Sequence, residues 1–196
     1  MMNLHGIKAL PNGNVIDFNN VSDYEFTVEE IAELLSHIKR FNGVGFSVAK
    51  HSVIVAKELL HRTNSKGVAL LGLFHDAAEA YLGDVVSPVK DMLGTAWKDL
   101  EYRIQREILW KFGVLSIGNP VAKLLVAEVD KAAMAAELKH LIAWGKYTLD
   151  KQGVWEEALK DVGDLTCDDI PALVNDDSKA AFLQLYDELT STQAGE

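Results

Sequence analysis

The chain has 196 residues, 48% of them hydrophobic, and its 19 Lys and Arg stand against 29 Asp and Glu for a net charge of −10. That is apolar enough for one packed core and too apolar for a disordered chain, and the length fits a single domain over residues 1–196. The acidic balance excludes a protein that coats duplex DNA through its phosphates, so no stable nucleic-acid binding is expected. It leaves room for a small anionic substrate, because a bound cation and a few basic side chains can reverse the local potential.

Apolar runs are only a few residues long, as at Val68–Phe74, far short of the roughly 20 that span a bilayer. The segment Met1–Asn14 has no basic stretch followed by an apolar one, so no secretory leader is expected. The single Cys167 excludes an internal disulfide. These features together predict a cytoplasmic protein without a membrane partner.

In chain order, Ile7–Leu10 and Val15–Phe18 flank Pro11-Asn12-Gly13-Asn14, and Asn-Gly between short β-prone runs predicts a small hairpin. From Thr27 onward the pattern is helical. Thr27 with Glu30 is a capping-box pair for a helix to about Lys39. Ser47 caps a second helix to about Arg62, and Ser65 a third to about Leu82. A loop with Gly83, Asp84 and Pro88 follows, and Thr95 opens a helix ending near Gly113. Asn119-Pro120 places a cap and an N-terminal proline before a long helix to about Gly145. Two shorter helices, Val154–Val162 and Ser178–Leu189, close the chain around the loop Thr166–Pro171. The fold class is all-α with a small N-terminal β element.

The chemistry concentrates in Leu73–Asp84. On the predicted third helix His75 and Asp76 are adjacent, and Glu79 lies four and three residues beyond them, on one side. Two carboxylates and an imidazole on a helix otherwise suited to burial are costly without a compensating cation. The same oddity recurs on two other predicted helices. His51 has Val48, Ile54 and Val55 at helical contact spacing, and Asp130 has Val126, Ala127, Ala133 and Met134. Alone, His51 reads as a hydrogen-bonded core histidine, and Asp130 as an aspartate paired with Lys123 or Lys131. Together with His75 and Asp76 they form a two-His, two-carboxylate set suited to a divalent cation. Spacing alone goes no further than a metal site.

The extended pattern is His75-Asp76-x-x-Glu79-x-x-x-Gly83-Asp84-x-x-x-Pro88-x-Lys90, with Arg40 and His51 upstream and Asp130 downstream. It resembles the HD-domain metal-dependent phosphohydrolases, whose H…HD…D pattern spans about residues 38–141 here. The resemblance implies a compact HD-type helical bundle and, within the family, the branch of 5′-deoxynucleotidases and small phage enzymes that hydrolyse deoxynucleoside triphosphates, notably dATP.

By that resemblance His51, His75, Asp76 and Asp130 hold one divalent ion (Co, Mn, Zn, Fe or Mg), and a further ion beside the substrate phosphates is compatible with the pattern. Glu79 holds or deprotonates the attacking water, and Asp84 assists in orientation or proton transfer. Arg40 and Lys90 contact phosphate, and Phe41 stands where that branch commonly carries a Trp against the sugar. The ordinary readings are a solvated Glu79, a turn-forming Asp84, an Arg40 at a helix end, a surface Lys90 and a packing role for Phe41.

The expected substrate is a deoxynucleoside triphosphate, cut to deoxynucleoside and triphosphate, with the monophosphate as alternative. Lys50, Lys57, Lys123 and Lys131 are candidates for holding further phosphates. A (p)ppGpp hydrolase is disfavoured because Ala80 follows Glu79, and a non-catalytic metal-stabilised binding module is the alternative of another class. Self-association is expected, and a phage-encoded enzyme would work in its host's cytoplasm.

His5, His37, His61 and His140 show no ligand spacing. Trp97, Trp110, Trp144 and Trp155 fit helix packing or an oligomer interface. Asp168-Asp169 and Asp176-Asp177 read as solvated loop and cap residues.

Overall fold

Several of the helices begin where short polar side chains take up free backbone N–H groups. The computed structural model describes residues 5–114, 118–143, 145, 153–167 and 177–191; Trp144, Asp168, Asp169, Asp176 and most of the loop up to Pro171 lie outside them. Thr27 accepts from Glu30 N–H at the start of α1 (Val28–His37), Ser47 from Lys50 N–H at α2 (Val48–Thr63) and Ser65 from Val68 N–H at α3 (Lys66–Leu73). The Asn119 side chain accepts from the N–H groups of Val121 and Ala122 ahead of the 24-residue α7 (Pro120–Ala143).

The expected third helix is broken. α3 ends at Leu73, the segment from Phe74 to Ala78 is a run of turns, and α4 (Glu79–Leu82) resumes for one turn. The cause is a side chain from another helix. Gln105, on α6 (Thr95–Lys111), donates from its amide nitrogen to Phe74 C=O and accepts from Ala78 N–H at 3.0 Å. Those are the two groups an uninterrupted helix would bond to each other, and a side chain inserted between them opens the ladder. The expected loop after Gly83 also differs, because Ser87–Leu93 forms the short helix α5 with Pro88 in its first turn, where a missing N–H costs nothing. Gly94, at φ +71°, separates α5 from α6.

Strands β1 (Ile7–Ala9) and β2 (Val15–Asp17) pair antiparallel, with Lys8 opposite Ile16. Glu30 draws this hairpin onto α1. One of its oxygens accepts from Tyr24 and Tyr81 hydroxyls at 2.7 and 2.8 Å, and the other from the Asn12 and Asn14 amides. The carboxylate of the expected capping box is therefore committed to the turn and to Tyr81.

α2 lies at the centre, packed against α1, α3, α7 and α9 (Ser178–Thr190). It is buried nearly all round, as a helix surrounded by others must be. Gly72 lets α3 approach it closely, since a Cβ there would overlap the Leu59 side chain. α8 (Val154–Leu159) is shorter than its sequence pattern and buries no residue completely. Of the described tryptophans, Trp97 and Trp155 are half-buried, while Trp110 is 74% exposed and does not pack as a core residue. Among the described residues no helix is long and apolar enough to cross a membrane.

Candidate metal centre

Three separate segments converge on one point. α2 supplies His51, the turn opened by Gln105 supplies His75 and Asp76, and α7 supplies Asp130. Ligand atoms of His51, His75 and Asp130 all lie within 4.8 Å of one another. Asp76 stands beside this group rather than within it, with Oδ2 3.1 Å from His75 Nε2.

The histidine tautomers follow from what each Nδ1 faces. His75 Nδ1–H donates to Gly72 C=O at 2.7 Å, and His51 Nδ1–H donates to Glu137 Oε1 at 2.6 Å. Each Nε2 then presents a lone pair to the shared point. His51 Nε2 is 2.9 Å from Asp130 Oδ1, while His75 Nε2 is buried without a hydrogen-bond partner. Lone pairs facing carboxylate oxygens require a positive charge between them, and the mixed N/O donor set suits a divalent transition metal. The residues present therefore fit the group that the sequence predicts.

The carboxylates exert the same demand for positive charge on the rings themselves, which a proton also meets. Burial disfavours an imidazolium at His75, but Asp76 and Asp130 outweigh it and hold the ring well above its ordinary pKa. Burial likewise pushes Asp76 and Asp130 up, yet the two imidazoles pull Asp76 down to about 2 and Asp130 well below the carboxylate range.

Glu79 behaves oppositely. Burial and the neighbouring Asp76 push its carboxyl up to about 8, against the opposing pull of Lys90. Its Oε1 accepts from Lys90 Nζ at 3.1 Å, and its Oε2 is buried without a partner. A carboxyl poised near neutrality with one free oxygen is suited to proton transfer.

The other expected residues sit around this cluster in roles of their own. Arg40 is not at the end of α1. It starts a tight loop in which its N–H donates to Phe46 C=O at 2.9 Å, and its own carbonyl accepts from Gly43 and Gly45. From there its guanidinium reaches Glu137, Nε to Oε2 at 3.1 Å, with Asp76 at 3.6 Å. Lys90 is held by Glu79 and by Glu101, the latter at 2.6 Å. Asp84, on the loop after α4, is pushed up by burial, with Arg40, Asp76 and Lys90 as charged neighbours.

Phe41 has φ +51° and is followed by Asn42 at +53°, conformations that side chains seldom adopt and that concentrate at functional sites. Gly45 permits this turn, because a Cβ there would strike the Phe41 ring. The Phe41 ring lies 6.2 Å from that of Trp155.

Two residues with no assigned role in the sequence pattern complete the centre. Glu137 is buried on α7 and links His51 to Arg40. Its position seven residues after Asp130 places it on the same stripe, so the apolar-neighbour signal that marks Asp130 also marks Glu137. Gln105 shapes the turn that carries His75 and Asp76, and it lies beside the buried Ile104 and one turn before Ile108 and Leu109.

No family model matches the chain. It is 28% identical over 149 residues to an uncharacterised protein of Rhodobacter capsulatus, covering 71% of this chain and 75% of that one. It is 29% identical over 133 residues to the uncharacterised protein YfdR of Escherichia coli, covering 66% and 69%. It is also 27% identical over 113 residues to a 5′-deoxynucleotidase of Photobacterium profundum, covering 55% of this chain and 48% of that enzyme, about half its length.

Proposed function

We propose that the protein is a metal-dependent phosphohydrolase that releases the phosphate next to the sugar of deoxynucleotides. The observation that carries this reading is the convergence of His51, His75 and Asp130 on one point, with Asp76 against His75 and an unpartnered oxygen on the neighbouring Glu79. The similarity to a 5′-deoxynucleotidase supports the substrate class and favours the monophosphate, while a triphosphate bound through its α-phosphate would be cut by the same groups.

A divalent ion in this set supplies positive charge that acidifies a nearby water and offsets the charge of a phosphoryl group. The chain supplies the rest. His51 and His75 present Nε2 because their Nδ1–H groups are held, and Asp76 and Asp130 balance the charge. Glu79 accepts the proton of the attacking water at Oε2 while Lys90 fixes its other oxygen. Arg40, anchored on Glu137 through Nε, presents its remaining nitrogens toward the phosphate oxygens, and Asp84 orients the leaving side.

Chromatographic product analysis with dAMP, dATP, AMP and ATP under Mn²⁺, Co²⁺, Zn²⁺ and Mg²⁺ tests the reading. Deoxyadenosine with phosphate, or with intact triphosphate, is the expected product. Asp76→Ala is expected to lose metal and turnover together. Glu79→Gln is expected to keep its metal and lose turnover by about 10²–10⁴-fold. A metal-loaded protein silent on all four nucleotides would turn the reading toward a metal-stabilised binding module.

A further inference from the structure

The ion site opens on one side into a cavity of about 300 Å³ whose wall includes both His75 and Asp130. The cavity lies between α6 and α7, and Arg40, Phe41, Asp84 and Lys90 are not among its lining residues. Its floor is apolar, formed by Leu71 from α3, Leu109 from α6 and Val126 from α7, with the exposed Ala127 at its mouth. Tyr102 forms one rim and is 60% exposed. The trough then widens into a second space of about 740 Å³ that shares Tyr102 and Leu109 and continues past the exposed Trp110.

An apolar floor decides between the two parts of a nucleotide that could extend from the ion. A polyphosphate chain laid on Leu71, Leu109 and Val126 would give up water to a floor that offers no donor, since the cavity's cations, Arg106 and Lys123, stand at its exposed rim. A planar base gains on both counts, through apolar contact below and an aromatic ring to stack on beside it. The polar side chains at the rim are suited to a base edge. Arg106 and Lys123 both line the cavity, and both only donate hydrogen bonds, as the ring nitrogens and carbonyl oxygens of a base require; Glu107 Oε1 already holds Arg106 Nε and one of its terminal nitrogens, so the other terminal nitrogen is the donor left for the base. Gln105 lines it too, but its amide is committed to Phe74 and Ala78. A volume of this size lies at the lower end of the range of small-molecule pockets and suits one heterocycle with its sugar.

We infer that the α6–α7 trough is the nucleobase pocket of the site, with the base seated on the Leu71–Leu109–Val126 floor against Tyr102 and its edge read by Arg106 and Lys123. This rests on the deoxynucleotide phosphohydrolase reading above. It assigns the two sides of the ion to different parts of one substrate, the phosphate to the Arg40–Lys90 side and the base to the α6–α7 side.

The test fills or strips the pocket at exposed positions, where folding is least affected. Ala127→Trp places an indole in the cavity mouth, and Tyr102→Ala removes the stacking ring. With metal-loaded full-length protein, kcat/KM is measured on dAMP and on deoxyribose 5-phosphate, which has the same scissile bond and no base. Binding of deoxyadenosine is measured by calorimetry, and metal content is measured for each variant.

Both variants are expected to retain the ion. Their kcat/KM on dAMP is expected to fall on the order of tenfold or more beyond any fall on deoxyribose 5-phosphate, mainly through KM, with a matching loss of deoxyadenosine binding. Equal falls on the two substrates, or no fall on either, overturn the inference while leaving the phosphohydrolase reading in place. If the wild-type protein cleaves no phosphoester, that reading fails. Deoxyadenosine binding abolished by Ala127→Trp would still support the pocket, and absence of binding would overturn it.

Discussion

Glu137 shows how one buried carboxylate can fix two other functional candidates, His51 and Arg40, at once. Burial alone pushes its carboxyl up, but the His51 imidazole and the Arg40 guanidinium outweigh it and keep the group ionised below its ordinary pKa. A buried carboxylate with two hydrogen-bond donors on it fixes both of them, His51 by its tautomer and Arg40 by its direction. Glu137→Gln retains the shape and removes the charge. Metal affinity is expected to fall by about 10–100-fold, read by competition with a chelating dye, because a less polarised His51 is a weaker ligand. Unchanged affinity would mean that packing alone orients the ring. Asp130 and His51 were legible in the sequence because each interrupts an apolar stripe. Glu137 interrupts the same stripe, but it holds a ligand rather than an ion, so no motif marks it.

The element that matters most is the broken helix between Phe74 and Ala78. Its residues favour helix, and every signal within it is local, so the sequence reads as one helix from Ser65 to Leu82. The helix starts at Thr27, Ser47, Ser65 and Asn119 were legible for the same reason, since a cap and the N–H it serves lie within three residues. What opens the helix lies 27 residues beyond Ala78 on α6, and no local pattern encodes that. The break turns His75 and Asp76 toward the common point while Gly72 C=O holds the His75 ring. Gln105→Leu keeps the bulk and removes both bonds. Either Phe74 C=O and Ala78 N–H stay buried and unpaired, at about 1–3 kcal/mol each, or the segment closes into a helix and rotates both ligands. Each route weakens metal binding at a residue that is not a ligand. A fall in thermal midpoint of about 2–10 °C, with reduced metal uptake, is the expected result of calorimetry and metal titration on the variant. A variant with wild-type metal affinity would show that the turn is held by its own contacts.

Across the whole molecule, α2 connects the ion site to the far end of the chain. His51 faces the candidate metal site near the start of α2, and Glu58, two turns later on the same side, is fully buried. Its oxygens accept from the N–H groups of Thr166 and Cys167, from the Thr166 hydroxyl at 2.7 Å and from Arg62 Nε at 2.6 Å. Arg62 extends the link to Glu128 on α7 and to the Asp164 carbonyl. One carboxylate thus ties the segment before residue 168 to the central helix. Burial pushes Glu58 up, but the bonds from Thr166 and Arg62 prevail and leave its pKa below the usual 4.5. A group depressed on folding contributes stability in full above its unfolded pKa. It loses that contribution as pH falls through the folded value, because protonation is easier in the unfolded chain. Urea midpoints are therefore expected to decline as pH drops below about 4.5, and Glu58→Gln should be less stable at neutral pH with a shallower decline. The neutral amide cannot accept from all four donors, so the loss at pH 7 measures the network and the change of slope measures its charge. Parallel curves for the two proteins would assign the acid sensitivity to other carboxylates and leave Glu58 with a packing role.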